Sequence, residues 1–283
     1  MAYREYMAGR QVVLSVAPTA PERHGTDATL PVSPEAIATQ VTESESMGAS
    51  IASVYGWTED GEPTAAALPD VAAAIRERAP EMLVEYAFAP SYQLGDYLDA
   101  IERRPRPDFA QVPLTPGQYG SREVTALSRR DVDRLVEAVT ERGVKPNCLL
   151  RSGRDVQELH RLLANDLLSA PVVTLRLGAR DGAVATPLTL MSLLQALPTS
   201  ANVLVAATGP NQYPITTMAL FMGAHARVGM ADNRYLALEE PVERNIQLVQ
   251  RVAETVSHSR RSFADAAATM DVFSLDGHRA QQS

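Results

Sequence analysis

The stretch Ser128–Arg151, SRRDVDRLVEAVTERGVKPNCLLR, decides how this chain is read. Its first part is a helix with both ends written into it. Ser128 carries an oxygen that can accept from the free N–H groups of a first turn, which predicts a helix over Arg129 to Arg142. Val132, Leu135, Val136 and Val139 recur at three- and four-residue spacing and mark the face that helix buries. Gly143 is the stop. The pattern then changes, and Pro146 to Arg151 is a short apolar run of strand length. A helix feeding directly into a strand covered on both faces belongs to a βα repeat.

Working outward, the same alternation fills the chain. Strand-like runs lie at Gln11–Val16, Ser50–Tyr55, Met82–Phe88, Phe109–Leu114, Pro146–Arg151, Val172–Leu177, Val203–Ala207 and Ala226–Met230. Helical patterns lie at Pro34–Met47, with Ser33 as cap and Gly48 as stop, at Leu68–Ala79 and at Arg129–Arg142. Four more follow at Asp155–Ala164, Pro187–Ala196, Pro214–Met222 and Val242–Val256. The strand–helix units occupy Gln11 to Ser257 at about 31 residues each, the size of one βα unit. Eight such units predict a closed (β/α)8 TIM barrel. The alternative is an open doubly wound sheet. The loop SVAPTAPERHG after the first strand has no G-x-G-x-x-G fingerprint, which counts against a nicotinamide enzyme. No compositional break divides the chain, so residues 1–283 are expected to form one barrel domain with a short N-terminal extension and a frayed tail from about 275.

Composition narrows the classes further. Lys and Arg number 26 and Asp and Glu 34, a formal charge of −8. That argues against a nucleic-acid partner, which needs a basic face. The single cysteine, Cys148, excludes an intramolecular disulfide and any multi-cysteine metal site. No apolar run approaches the roughly 18 residues of a membrane span. The opening MAYREYMAGRQ lacks the apolar core of a signal peptide, so a cytoplasmic protein is expected.

A barrel of this kind places its chemistry at the C-terminal ends of the strands. Three arginines fall there on separate strands, Arg151, Arg176 and Arg227. Guanidinium groups so placed meet a substrate anion or a neighbouring carboxylate. Glu85 is the candidate for a general acid or base; its bland reading is a salt bridge with Arg151 or Arg227. Tyr55 can donate to an oxyanion or simply fill space, and Trp57 lines the same strand end. Ser53, Thr208, Gln212 and Asn233 complete the candidate substrate-binding set. His24 follows the first strand and His225 starts the eighth, where it reads as structural. His160, His258 and His278 make no i, i+4 zinc pair. Cys148 reads as a small hydrophobe.

At the eighth strand Gly223–Asn233 reads GAHARVGMADN, followed by RNIQLVQRV from Arg244. This resembles the β-keto acid cleavage enzyme family, whose pattern there is G-G-H-x-R-V-G-L-E-D-N. LPVSPEAIATQVTESESMGASI (Leu30–Ile51), GVKPN (Gly143–Asn147) and RRSFADAAATMDV (Arg260–Val272) agree with it, so the resemblance runs from Gln11 to about Leu275. It implies a (β/α)8 barrel, usually tetrameric, that joins a β-keto acid to acetyl-CoA and releases a CoA ester and acetoacetate. It also implies a zinc ion held by H-x-H at the second strand and by the glutamate of R-V-G-L-E-D. Those positions are Ser53, Tyr55 and Ala231 in this chain. The acidic residue expected after the first strand has no equivalent among Ala17, Pro18 and Thr19, although Glu22 is near. The acidic pair expected after K-P falls on Asn147 and Leu149.

Two family elements persist, Arg227 and Asp232; in the family that arginine helps bind the substrate carboxylate and acts with the aspartate during carbon–carbon bond cleavage. The expectation is a metal-independent enzyme acting on a small anionic keto acid, with Arg227, Asp232, Glu85 and Tyr55 catalytic. Acetyl-CoA is the possible co-substrate and a homo-oligomer, tetramer or dimer, the expected assembly. The alternative is a non-catalytic pseudoenzyme or small-anion sensor on the same barrel.

Overall fold

The computed structural model describes residues 11–21, 29–115, 117–119, 123–125, 127–180, 182–237 and 239–275. Its centre is a closed barrel of eight parallel strands. They are β1 (Leu14–Val16), β2 (Ile51–Val54), β3 (Leu83–Tyr86), β4 (Phe109–Pro113), β5 (Lys145–Leu150), β6 (Val172–Leu177), β7 (Asn202–Ala207) and β8 (His225–Val228). Each strand pairs with its neighbours in sequence, and β1 closes on β8 with Ser15 opposite Arg227.

Around the barrel run α1 (Pro34–Glu45), α2 (Leu68–Arg78), α3 (Leu94–Glu102), α4 (Arg129–Glu141), α5 (Gly153–Ala164), α6 (Pro187–Ala196), α7 (Gln212–Phe221) and α8 (Asn245–His258). A ninth helix, α9 (Ala266–Val272), follows them. The closed topology excludes the doubly wound alternative. Ser128 caps α4 as expected: its Oγ accepts from the Asp131 N–H at 3.2 Å while Asp131 accepts from the Ser128 N–H at 2.9 Å. The four apolar residues read from its spacing are the ones it buries.

Two helices were not expected. Helix α3 carries a sound apolar stripe at Leu94, Tyr97, Leu98 and Ile101, but Gln93 makes no side-chain cap. Helix α9 is short and rich in alanine, and is held by Asp265, whose Oδ1 accepts from Ala268 N–H at 2.8 Å. Helix α8 begins three residues later than its apolar pattern, at Asn245, where the Gln247 side chain accepts from the Arg244 N–H.

Strand pleating sets the layers inside the barrel, since alternate residues share a face. Val13, Ile51, Leu83, Phe109, Val172 and Leu204 form an apolar floor. The segment around α9 closes it from below, with Phe273 edge-on to Phe109 and to His225, each at 5.6 Å between ring centroids. His225 accepts the Val13 N–H on Nδ1 at 3.1 Å, which matches its structural reading. Two residues further along the strands the lining turns polar: Ser53 after Ile51, Glu85 after Leu83, Gln111 after Phe109, Thr174 after Val172 and Arg227 after His225. All are buried.

Candidate active site

Glu85 stands at the middle of this polar layer and is 1% exposed. Ser53 Oγ donates to its Oε1 at 2.5 Å, and Asn147 Nδ2 donates to its Oε2. Thr174 in turn bonds Asn147 at 2.9 Å. Arg227 Nη1 lies 4.0 Å from Glu85 Oε1. On its other side Arg227 Nε lies 3.2 Å from Asp232 Oδ2, and Arg176 Nε lies 2.8 Å from Asp232 Oδ1. One carboxylate therefore bridges two guanidinium groups, and a second carboxyl faces one of them. Of the two bland readings of Glu85, the pairing with Arg227 is the one observed.

Gly229 makes this geometry reachable. Its φ of +146° lies outside the range L side chains favour, and a Cβ there would come within 2.2 Å of the Ala17 carbonyl. The chain turns there against β1, with Ala231 N–H donating to Ala17 O at 3.0 Å. That turn sets Asp232 beside Arg227, five residues earlier. The Asp232 carbonyl also accepts from Gly209 N–H, tying the loop after β8 to the end of β7.

Burial raises the Glu85 pKa above the ordinary 4.5; Arg227 and the hydrogen bonds from Ser53 and Asn147 pull it back only in part. The folded chain therefore holds this proton where the unfolded chain has lost it. Glu85's contribution is full below about pH 4.5 and is lost as pH rises through its folded pKa. Glu85→Gln keeps the shape and removes the ionisation. Thermal melts from pH 4.5 upward should show the variant gaining on wild type as pH rises. Parallel curves would show that Glu85 titrates normally.

Arg151 is anchored at the same end of the barrel. Its Nη2 donates to Thr115 O at 2.7 Å and its backbone N–H to Asp155 Oδ2 at 2.9 Å. Asp155 also accepts from Ser152 Oγ and Thr115 Oγ1. Tyr55 is fully buried at the end of β2, within electrostatic reach of Tyr92 and Tyr97. Trp57 donates Nε1–H to Thr19 Oγ1 at 3.0 Å and lies buried beyond the end of β2, bridged to Pro63. Gln212 donates to Gly229 O at 3.1 Å, and Asn233 exchanges bonds with the Tyr235 backbone. These two shape the loops beside the arginines. Thr208 sits at the end of β7, half-buried. Cys148 is buried in the core, where desolvation pushes its thiol up to about 12. Iodoacetamide should leave it unmodified in the native protein and label it on denaturation. His24 and Glu22 lie outside the described residues, as does the expected tail beyond 275.

Sequence reasoning missed part of the cage. Thr174 and Asp155 were not singled out, and Asn147 was noted only for its place on the strand and in the family pattern. A signal was present: Ser53 in IASV, Glu85 in LVEY, Asn147 in KPNCLL and Thr174 in VVTLRL are polar interruptions of apolar strands.

Zinc takes imidazole, thiolate and carboxylate ligands, and the matched positions here are Ser53, Tyr55 and Ala231. The two nearby carboxyl groups, Glu85 and Asp232, are turned to guanidinium groups and hydrogen-bond donors. Among the described residues no cluster of three or more His, Cys, Asp or Glu could hold a metal ion. Ser53, Tyr55 and Ala231 themselves supply no imidazole or carboxylate ligand of the family's kind. No helix among the described residues is long and apolar enough to cross a membrane.

A closed eight-stranded α/β barrel with a guanidinium–carboxylate network at its strand ends is an enzyme-type scaffold. The chain belongs to the β-keto acid cleavage enzyme family, whose sequence model matches residues 11–275. A 3-keto-5-aminohexanoate cleavage enzyme of Acetoanaerobium sticklandii is 23% identical over 249 residues, 87% of this chain and 91% of that protein. The enzyme of that name from Fusobacterium nucleatum subsp. nucleatum is 24% identical over the same shares. Among solved structures, apo ObcA superposes with a TM-score of 0.71 at 15% identity, covering 87% of this chain. This chain spans 65% of the ObcA chain. That likeness is one of fold.

Proposed function

We propose that this protein cleaves or forms the carbon–carbon bond beside the keto group of a small β-keto acid, without the family's zinc. The observation that carries the reading is the buried Glu85–Arg227–Asp232–Arg176 network at the strand ends. Arg227 binds the substrate carboxylate, with Arg176 and Arg151 assisting. Asp232 keeps the two guanidinium groups that flank it in orientation. Glu85, with its raised pKa, holds a proton that can be given to a developing enolate or keto oxygen. Tyr55 donates to the same oxyanion. Ser53, Trp57, Thr208, Gln212 and Asn233 shape the pocket around it. With acetyl-CoA as co-substrate, the acyl half leaves as a CoA thioester and the carboxymethyl half joins the acetyl group as acetoacetate.

The test is direct. The purified chain, treated with a chelator, is incubated with a panel of β-keto acids and acetyl-CoA, and new CoA esters and acetoacetate are followed by mass spectrometry. Turnover under chelation is expected. Turnover that appears only on zinc addition overturns the metal-free clause. The pairing of both arginines with Asp232 also suits a non-catalytic anion-binding barrel. Saturable binding of the keto acids with no product in any arm would favour that second reading.

A further inference from the structure

The seam that closes the barrel is irregular at the end nearest Asp232. Val16 of β1 and Val228 of β8 are register partners, and Ala17 N–H donates to Val228 O at 2.8 Å. In a regular parallel ladder the Ala17 carbonyl would then take the N–H of Met230. It takes the N–H of Ala231 instead, at 3.0 Å, so Met230 is passed over as in a bulge. Pro18 comes next on the β1 side and has no N–H, so it can offer the seam only its carbonyl. Two backbone groups, Met230 N–H and Pro18 O, thus lie beyond the reach of the ladder. A buried peptide group left in that state is costly.

Asn245, the first residue of α8, meets both. Its Oδ1 accepts from Met230 N–H at 2.8 Å and its Nδ2 donates to Pro18 O at 3.0 Å. The second Nδ2 hydrogen goes to Gln40 Oε1 of α1 at 2.6 Å, and the same oxygen accepts from Asn245 N–H at 3.0 Å. The side chain is 0% exposed. Turning the amide over would set a donor against Met230 N–H and an acceptor against Pro18 O, so its orientation is fixed. The other side of Met230 is held as well, with Arg234 Nε donating to its carbonyl at 2.6 Å. Asp232, two residues on, bridges Arg227 and Arg176.

We infer that Asn245 is a positioning residue. Its side-chain amide replaces the rung missing from the β1–β8 seam, and by fixing Met230 it aims Asp232 at the two guanidinium groups. In the active site it acts through Asp232 and Arg227, and its effect on rate rests on the proposed reaction. Its effect on the network does not.

The experiment is a double-mutant cycle in melting temperature with Asn245→Ala and Asp232→Asn. Groups that act as one unit lose less together than the sum of their separate losses. The combined fall should therefore be well short of that sum. Ser128→Ala, which removes the distant cap of α4, should add to Asn245→Ala in full. Wherever turnover is seen, Asn245→Ala should lose kcat/KM on the order of 100-fold, the scale of a small misplacement of a reacting group. Ser128→Ala should keep the wild-type rate. The cycle needs no substrate, so failure of the proposed reaction leaves it standing. Should Asn245→Ala not fold, native-state hydrogen exchange of the wild type decides: the Met230 amide should exchange as slowly as those of β8. Additive losses in the cycle, a wild-type rate in Asn245→Ala, or a Met230 amide that exchanges like an open loop overturns the inference.

Discussion

Asp232→Ala is expected to lower the stability of the folded barrel by about 3–5 kcal/mol, because it takes from two buried guanidinium groups the carboxylate they share. Arg176 is 5% exposed and Arg227 1%. Neither can shed its charge, since a guanidinium stays protonated at any working pH. At roughly 2–4 °C per kcal/mol for a chain of this size, the melting temperature should fall by about 10 °C. Asp232→Asn keeps the shape and loses the charge, so its loss should be smaller but clear. Calorimetry of the two variants beside wild type makes the measurement. An alanine variant that melts with wild type would mean that the network is not closed in solution.

Arg227→Ala should do the reverse, sparing the fold and ending the chemistry. Asp232 keeps Arg176 at 2.8 Å, and Glu85, already displaced toward its neutral form, can take a proton. Carboxyl groups can discharge when a partner is lost, and arginines cannot; this asymmetry separates the two variants. On the proposed function kcat/KM falls on the order of 10³-fold, the scale of losing a buried charged donor. Arg227→Lys restores the charge but not the fork that reaches Glu85 and Asp232 together, so it should recover only part of the rate. Steady-state kinetics with circular dichroism on each variant distinguishes these outcomes. Full activity in Arg227→Ala would remove that residue from the mechanism.

The barrel was legible because its repeat is local. Each strand is a short apolar run, and most helices carry a cap or a glycine stop, as with Ser33, Ser128 and Gly143. Helix α3 escaped notice because Gln93 makes no cap, and α9 because alanine at most positions gives little periodicity. The arginines and Glu85 stood out as charges inside apolar strands. Their pairing was legible only as a choice, Arg151 or Arg227 for Glu85, because closure of the sheet decides which arginine Glu85 meets. The cage of Asn147 and Thr174 was harder still, since a neutral polar residue on a strand looks like an ordinary solvent-facing one until the sheet curls round it.

The stopper that Phe273 and its neighbours make beneath the floor has a kinetic corollary. A vessel blind at one end has one doorway. If two reactants are processed within it, whichever sits deeper must arrive earlier and depart later, so the stacking of guests against that plug dictates an ordered rather than random sequence of arrivals.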